Sequence, residues 1–212
     1  MVKAFPDPNR PLISCAAATC NDCPAGQTVH CHFSAKDLFY FWVLVLPAFL
    51  LGSAGICHFG AQFLVPWLVI MVGYFGLAEI RVMCAHCPHY AEPGDTLKCW
   101  ANYGSPKLWR YRPDPMSSVE KMVFWGGLAT VFGYPLLFLT WGKQWLLLII
   151  YALATMSMFL VMKRQMCTHC MNFACPLNVV AETVKGEFFK RNPEIAQTWG
   201  ADVVTLPKGT RS

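Results

Sequence analysis

The stretch RVMCAHC, residues 81–87, returns as RQMCTHC at residues 164–170. Each copy directly follows a long apolar run, and the frame Arg-x-Met-Cys-x-His-Cys recurs at an offset of 83. The same offset holds upstream: Ser34 falls on Ser117, Asp37 on Glu120, and Phe41-Trp42 on Phe124-Trp125. The interval from Trp42 to Cys84 equals that from Trp125 to Cys167, so no net insertion separates the halves over that length. Each half then reaches a third cysteine with an Asn three residues beyond it, CWAN at 99–102 and CPLN at 175–178. Generic hydrophobicity explains two apolar runs but not a seven-residue motif in register. The chain is therefore predicted to be an internal duplication.

Composition sets the solvent. Of 212 residues, 55% are hydrophobic and only 14% charged, with mean hydropathy +0.38. A soluble domain carries about 25% charged residues, so the deficit points to a membrane protein. Four runs, 38–57, 61–80, 122–141 and 145–162, are each about as long as a helix needs to cross ~30 Å of hydrocarbon. Pro47, Pro66 and Pro135 interrupt the first three; a spanning helix tolerates proline where neighbours satisfy the freed carbonyls. Glu79, at the end of the second run, is the only charge within any of them. Trp42, Trp125, Trp141 and Trp145 lie near run ends, as interfacial aromatics do.

The connections HFG (58–60) and GKQ (142–144) are very short, which makes each pair of runs a helical hairpin. The expected fold is an all-α integral membrane protein with four transmembrane helices, arranged as two duplicated hairpins. An even number of spans per unit keeps both halves in one orientation, related by a pseudo-twofold along the membrane normal. The predicted organisation is a Cys-rich segment (1–36), repeat 1 (37–118), repeat 2 (119–199) and a tail (200–212). Sixteen of the 17 Lys and Arg residues fall in 1–36, 81–121 and 163–212; Lys143 alone lies in a short turn. By the positive-inside rule these segments and both termini are cytoplasmic. A net charge of +5 raises nucleic acid as a partner, but the basic residues follow topology instead of forming one patch. LISC at 12–15 has the form of a lipoprotein cleavage box, yet residues 1–11 contain no apolar core for a signal peptide.

Ten of the 11 cysteines fall in the cytoplasmic segments; Cys57 lies at the far end of the first run. The cytosol is reducing, so thiols there point to metal or catalysis before disulfides. Two thiolates at CxxC spacing can reach one metal or cluster, and the nearby Arg81, Lys163 and Arg164 are expected to lower the thiol pKa. Cys15, Cys20 and Cys23 match the C-x4-C-x2-C spacing of plant-type [2Fe–2S] ferredoxins, with Cys31 following sooner than the fourth ligand does there. A four-cysteine zinc site suits the same spacing. The run Cys167, Cys170, Cys175-Pro176 is similar to bacterial ferredoxin runs in its terminal Cys-Pro, though its intervals differ. Pro176 is expected to open a helix, with Cys175 at its N-cap facing free backbone N–H groups.

Two partitions of the ligands stand open. One fills a site from Cys15, Cys20, Cys23 and Cys31 and another from Cys84, Cys87, Cys167 and Cys170 across the pseudo-twofold. The other gives each repeat its own site, from Cys84, Cys87 and Cys99 and from Cys167, Cys170 and Cys175, with His, water or substrate as fourth ligand. His86 and His169 inside the motifs, and His30 and His32 beside Cys31, are candidate ligands, each with a polar loop histidine as the plainer alternative. Glu79 is the candidate catalytic residue for proton or substrate handling; pairing with Arg81 or Lys163 is the structural alternative. Leu177, Val180, Val184 and Phe188 predict an amphipathic helix over 177–190, lying on the membrane or capping the metal region. The basic, aromatic loop 103–115 is expected at the interface, against a partner or lipid headgroups.

The functional expectation is an iron–sulfur electron-transfer protein or redox-enzyme subunit, with [4Fe–4S] clusters at the cytoplasmic membrane surface. It would exchange electrons between a soluble redox partner and a quinone or membrane-bound enzyme. The absence of a GxGxxG or P-loop motif leaves NAD(P)H or ATP chemistry to a partner. The alternative is a Zn2+-organised adaptor or enzyme; palmitoyltransferases share four spans and cytoplasmic cysteines, but their Asp-His-His-Cys motif is absent. A soft-metal transporter is third, because the spans lack a relay of thiols.

Overall fold

The structure is a computed structural model that describes residues 28–30 and 33–201. Among these the chain is helical, with no strand beyond a single bridge between Thr96 and Pro106. Helix α1 spans Ala35–Gly60. A short 3-10 turn, Ala61–Phe63, leads into α2, Leu64–Gly73. A π-turn, Tyr74–Ala78, joins α2 to α3, Glu79–Val82. Helix α4 is Ser118–Trp141 and α5 is Trp145–Val161, extended by a π-turn at Met162–Met166. Helices α6 (Glu182–Arg191) and α7 (Pro193–Thr198) complete the set.

Among the described residues, three helices are long and apolar enough to cross a membrane: the continuous run Ala35–His86, Ser118–Trp141 and Trp145–Met166. Their outward faces carry Val43, Leu50, Val69, Val72, Leu146, Ile149 and Leu153 exposed. A helix apolar on its outside as well as its inside suits lipid, not water. The first run does not go straight. Gly60 leaves the helical region at φ 173°, ψ 117°, and beyond it the chain folds back, with Phe49 against both Trp67 and Phe75 and Ile56 packed with Trp67.

Local sequence dictates where helices start. Ser34 caps α1 by accepting from the Asp37 N–H, and its counterpart Ser117 caps α4 through a reciprocal capping box with Glu120. That box starts α4 one turn ahead of the apolar run beginning at Met122. Helix α1 packs on α4 and α5, and α4 packs in turn on the segment 64–82. Along the α1–α4 seam, positions related by the repeat offset meet one another. Phe49 and Phe132 have ring centroids 5.5 Å apart. A Cβ on Gly52 would lie 3.1 Å from Pro135, and one on Gly142 would lie 3.3 Å from Phe59. The two helices therefore run parallel and in register.

The turn beginning at Gly60 and the turn at Gly142 share one end, where Gln144 Nε2 donates to the Gly55 carbonyl at 3.1 Å. Residues 28–30, the segment 81–117 and the segment 162–201 pack together at the other end. Their joint core includes Val29, Ala91, Met171, Phe173, Phe188 and Ile195. Two expectations are corrected there. No helix opens at Pro176: Cys175–Asn178 is a turn closed by Asn178 N–H to the Cys175 carbonyl at 3.0 Å. The amphipathic helix begins at Glu182, not 177, because Val179 N–H is drawn to the Cys167 carbonyl and Val180 N–H to Asn178 Oδ1. The stripe nevertheless points inward, with Val180 and Phe188 buried and Val184 against them.

Candidate metal centre

Two 3-10 turns, Cys84–His86 and Pro88–Ala91, shape the first motif. The second is shaped by the π-turn that delivers Cys167, whose N–H donates to the Met162 carbonyl at 2.9 Å. All seven described cysteines are free thiols. Cys57 is exposed at the opposite end of the bundle, away from the six motif cysteines. Cys15, Cys20, Cys23 and Cys31, together with His32, lie outside the described residues.

The six thiols form one neighbourhood. Cys84 is within electrostatic reach of Cys87, Cys99 and Cys175. Cys87 reaches Cys99 and Cys175, and Cys170 reaches Cys87, Cys175 and Cys167. Thiols of the two halves thus lie close enough to affect one another's ionisation. The loops are also stitched directly: Asn172 Nδ2 donates to the Met83 carbonyl at 3.2 Å.

Backbone amides surround the sulfurs in a repeated pattern. Cys87 accepts from the N–H two residues on, at His89, and Cys170 does the same from Asn172, with N···S 3.5 Å. Cys99 accepts from the N–H groups of Ala101 and Asn102, and Cys175 from those of Leu177 and Asn178. The spacing is two and three residues in both halves. The N–H donors expected of a helix N-terminus at Cys175 are present, but a turn supplies them. Asn102 adds a side-chain bond, Nδ2 to Cys84 Sγ at 3.2 Å. Its counterpart Asn178 instead ties the loop backbone, donating to the Cys170 carbonyl at 2.8 Å and the Asn172 carbonyl at 3.0 Å.

The expected lowering of thiol pKa by basic neighbours is overturned. Burial pushes Cys87, Cys99 and Cys170 up, Cys167 to about 11 and Cys175 to about 12. Lys163 opposes the shift at Cys167 without reversing it. Arg81 is engaged elsewhere, 3.6 Å from Glu120 and over the Trp109 ring. Desolvation disfavours a bare thiolate more than distant cations favour it, so a thiol here gives up its proton when a metal replaces it.

The histidines take hydrogen-bonding positions. His86 is held by the Asp114 carbonyl at Nδ1 and by Arg112 at Nε2, with Glu120 3.6 Å away. A carbonyl can only accept, so the proton sits on Nδ1 and Nε2 accepts from Arg112. Glu120 also pairs with Arg112. His169 faces the Thr28 carbonyl at 2.8 Å and stacks on His30 with centroids 5.3 Å apart. His30 in turn lies 3.0 Å from Asp37, and burial lowers its pKa despite that carboxylate. Glu79 is 9% exposed and bonds to Asn102, within reach of Cys84, Cys99 and Cys175. It faces the thiols; among the described residues Arg81 pairs with Glu120 instead.

Comparison with family models, curated proteins and solved structures finds no match.

Two buried polar residues were not singled out from sequence, His89 and Asn172, each 4% exposed. They are related by the same repeat offset, so extending it two residues past each motif would have flagged them. Among the described residues, no three His, Cys, Asp or Glu side chains converge where a single ion would sit. The donor chemistry still fits a metal–sulfur group: six clustered thiols, no disulfide among them, and N–H groups aimed at sulfur, the partners that ligating thiolates use. A cluster seated there would supply one-electron chemistry, while the chain contributes thiolates, amide donors and exclusion of water.

Proposed function

We propose that this chain is a membrane-embedded iron–sulfur electron-transfer protein or redox-enzyme subunit, with its centre at the cytoplasmic membrane surface. The observation that carries the proposal is the repeated cage of backbone N–H groups around Cys87 and Cys99 and around Cys170 and Cys175. Buried neutral thiols have little need of amide donors, here one each at Cys87 and Cys170 and two each at Cys99 and Cys175, whereas sulfur bearing negative charge in a cluster does. A polynuclear cluster also suits thiols that share a neighbourhood without converging. A zinc ion requires all four sulfurs at about 2.3 Å from one point.

The proposed architecture is four spans in two duplicated hairpins, the 52-residue run contributing two of them about Gly60. Register contacts between repeat-equivalent residues support a pseudo-twofold between α1 and α4, because equivalent positions touch each other only near such an axis. The Lys and Arg distribution orients the thiol end toward the cytoplasm. Electrons would pass there between a soluble partner and a quinone or membrane enzyme.

The test is to purify the full chain without oxygen and measure iron, zinc and acid-labile sulfide. Iron with matching sulfide and a broad band near roughly 400 nm is expected for iron–sulfur thiolate ligation. Colourless protein with stoichiometric zinc would establish the zinc alternative. Thiol labelling of inside-out against right-side-out vesicles checks the orientation.

A further inference from the structure

Resting on the reading of the apolar helices as membrane spans, and on nothing about what the thiols hold, we infer that the segment 96–112 is a lipid-binding element. Tyr103, Leu108 and Trp109 enter the headgroup layer of the leaflet at the thiol end. Arg110 and Lys98 take the phosphate of an anionic phospholipid. The sequence left a protein partner and lipid headgroups as alternatives for this loop, and the structure favours lipid.

The first reason is depth. Three rings of the segment touch residues at the ends of two spans. Trp100 meets Phe41, near the start of the run 38–57, with centroids 5.4 Å apart. Tyr103 stacks on Phe33, just ahead of α1, at 4.3 Å. Arg81, the first residue after the run 61–80, lies over the Trp109 ring at 6.0 Å. These contacts set the segment where hydrocarbon gives way to water, the depth that Trp and Tyr favour. Tyr40, Trp42 and Trp125 are exposed on α1 and α4 near the same end.

The second reason is that the outward display is built in. Leu97 N–H donates to the Ser105 carbonyl and Lys107 N–H to the Asp95 carbonyl, both at 2.8 Å, which closes a hairpin about the Thr96–Pro106 bridge. Trp109 N–H donates to the Tyr90 hydroxyl at 2.7 Å, and Arg112 N–H to the Ala85 carbonyl at 2.8 Å. Leu97 is buried, with Tyr111 packed against the same cluster. Tyr103, Leu108 and Trp109 are exposed instead. In water three large side chains held outward within seven residues would form an apolar patch, whereas the headgroup layer accepts an apolar body with a polar edge.

The third reason is charge. Residues 96–112 carry Lys98, Lys107, Arg110 and Arg112 and no acid. Two of these are engaged: Lys107 Nζ donates to the Glu92 carbonyl, and Arg112 pairs with Glu120. Lys98 and Arg110 are exposed, and among the described residues neither has an ion-pair partner. A free guanidinium beside an exposed indole suits phosphate, and the leaflet facing the cytoplasm is the anionic one. Charge alone would serve an acidic protein equally well; rings levelled against span ends favour lipid.

The experiment places the full chain in nanodiscs of phosphatidylcholine with phosphatidylglycerol. Trp109 is followed as the difference between wild-type and Trp109→Phe fluorescence, quenched from the lipid side by headgroup-spin-labelled phosphatidylcholine and from the water side by iodide. Strong lipid quenching and weak iodide quenching are expected. In detergent, native mass spectrometry should show short-chain phosphatidylglycerol binding about fivefold more weakly to Arg110→Gln than to wild type, the share of one cation. Inorganic phosphate should not displace it. Lys98→Gln repeats the comparison should Arg110→Gln prove less stable. Iodide reaching Trp109 freely, or equal phosphatidylglycerol affinity in wild type and variants, would overturn the inference and give the surface to a soluble partner. Displacement by inorganic phosphate would overturn it in favour of the free ion. All three results leave the spans in place, whereas a chain that stays monodisperse without detergent or lipid would overturn the reading of the spans themselves.

Discussion

Consider Gly127→Ala. Helix α4 brings Gly127 against the ring of Tyr74, so that an added Cβ would overlap ring atoms directly. The ring has little freedom to retreat. Tyr74 is buried, and its hydroxyl donates to the Phe124 carbonyl at 2.7 Å. Overpacking of this kind costs about 1–3 kcal/mol, and losing the hydroxyl bond about 1 kcal/mol more. Against this, alanine is favoured over glycine in a helix by about 1 kcal/mol. The net destabilisation is about 1–3 kcal/mol, or roughly 2–12 °C in Tm at 2–4 °C per kcal/mol for a chain of this size. Gly126, one residue earlier, supplies the control: nothing lies within 4 Å of its Cβ position, so Gly126→Ala should be neutral or stabilising. Both variants would be compared with wild type by thermal unfolding in one detergent, followed by circular dichroism. Tyr74 opens the π-turn that leads to Glu79 and Cys84, so Gly127→Ala should also retain less iron. A Gly127→Ala protein as stable as wild type, or equal losses for both variants, would refute this packing of α4 on the segment 64–82.

Glu120→Ala removes the capping-box carboxylate together with the partner of Arg81, Arg112 and His86. It should cost about 1–2 kcal/mol, with Glu120→Gln retaining part of that, and an unchanged Tm for the alanine variant would contradict the arrangement. Asn102→Leu removes the donor to Cys84 Sγ; a bond worth about 1 kcal/mol corresponds to roughly 40 mV for one electron. The centre's midpoint potential should therefore move negative by that order in a redox titration, and a positive shift would rule out the role. For metal-free protein, Cys167 and Cys175 titrate near about 11 and 12 when folded, against 9.0 when unfolded. Above pH 9 the folded state binds more protons, so stability should be level below about pH 9 and fall progressively toward pH 12. Thermal midpoints across that window would check it. The double substitution Cys167→Ser and Cys175→Ser should make the profile shallower without abolishing the fall, because buried Cys87, Cys99 and Cys170 are raised as well, and an equally steep profile would show that Cys167 and Cys175 do not contribute.

Much of the scaffold was legible in the order of residues. Ser34 and Ser117 enter the sequence reading only as matched repeat positions, yet each caps a helix, because a short hydroxyl satisfies a free N–H three residues on, and so starts it three or four residues ahead of the apolar run. Long uncharged runs announce spanning helices because hydrocarbon offers backbone groups no partner. The repeat offset aligned the cysteines, and extended slightly it would have found His89 and Asn172. These signals are local or periodic, so they survive without knowledge of the fold. What depended on distance in space was misjudged. Arg81 and Lys163 promised acidic thiols, yet burial prevails and Arg81 serves Glu120 and Trp109. Pro176 promised a helix, but Asn178 holds that stretch as a turn against Cys170 and Asn172. Glu79 had Arg81 two residues away and instead faces Asn102 and the sulfurs.

By itself, then, the sequence determined that the chain is helical, lipid-facing and built on a repeated thiol motif, since composition, capping and periodicity act over a few residues. Only the tertiary structure decided that Asn172 ties the second loop to the Met83 carbonyl of the first, that His86 serves Arg112 and Asp114, and that the sulfurs are buried among amide donors. Those outcomes depend on which surfaces meet between two halves far apart along the chain, and on how much water the meeting excludes.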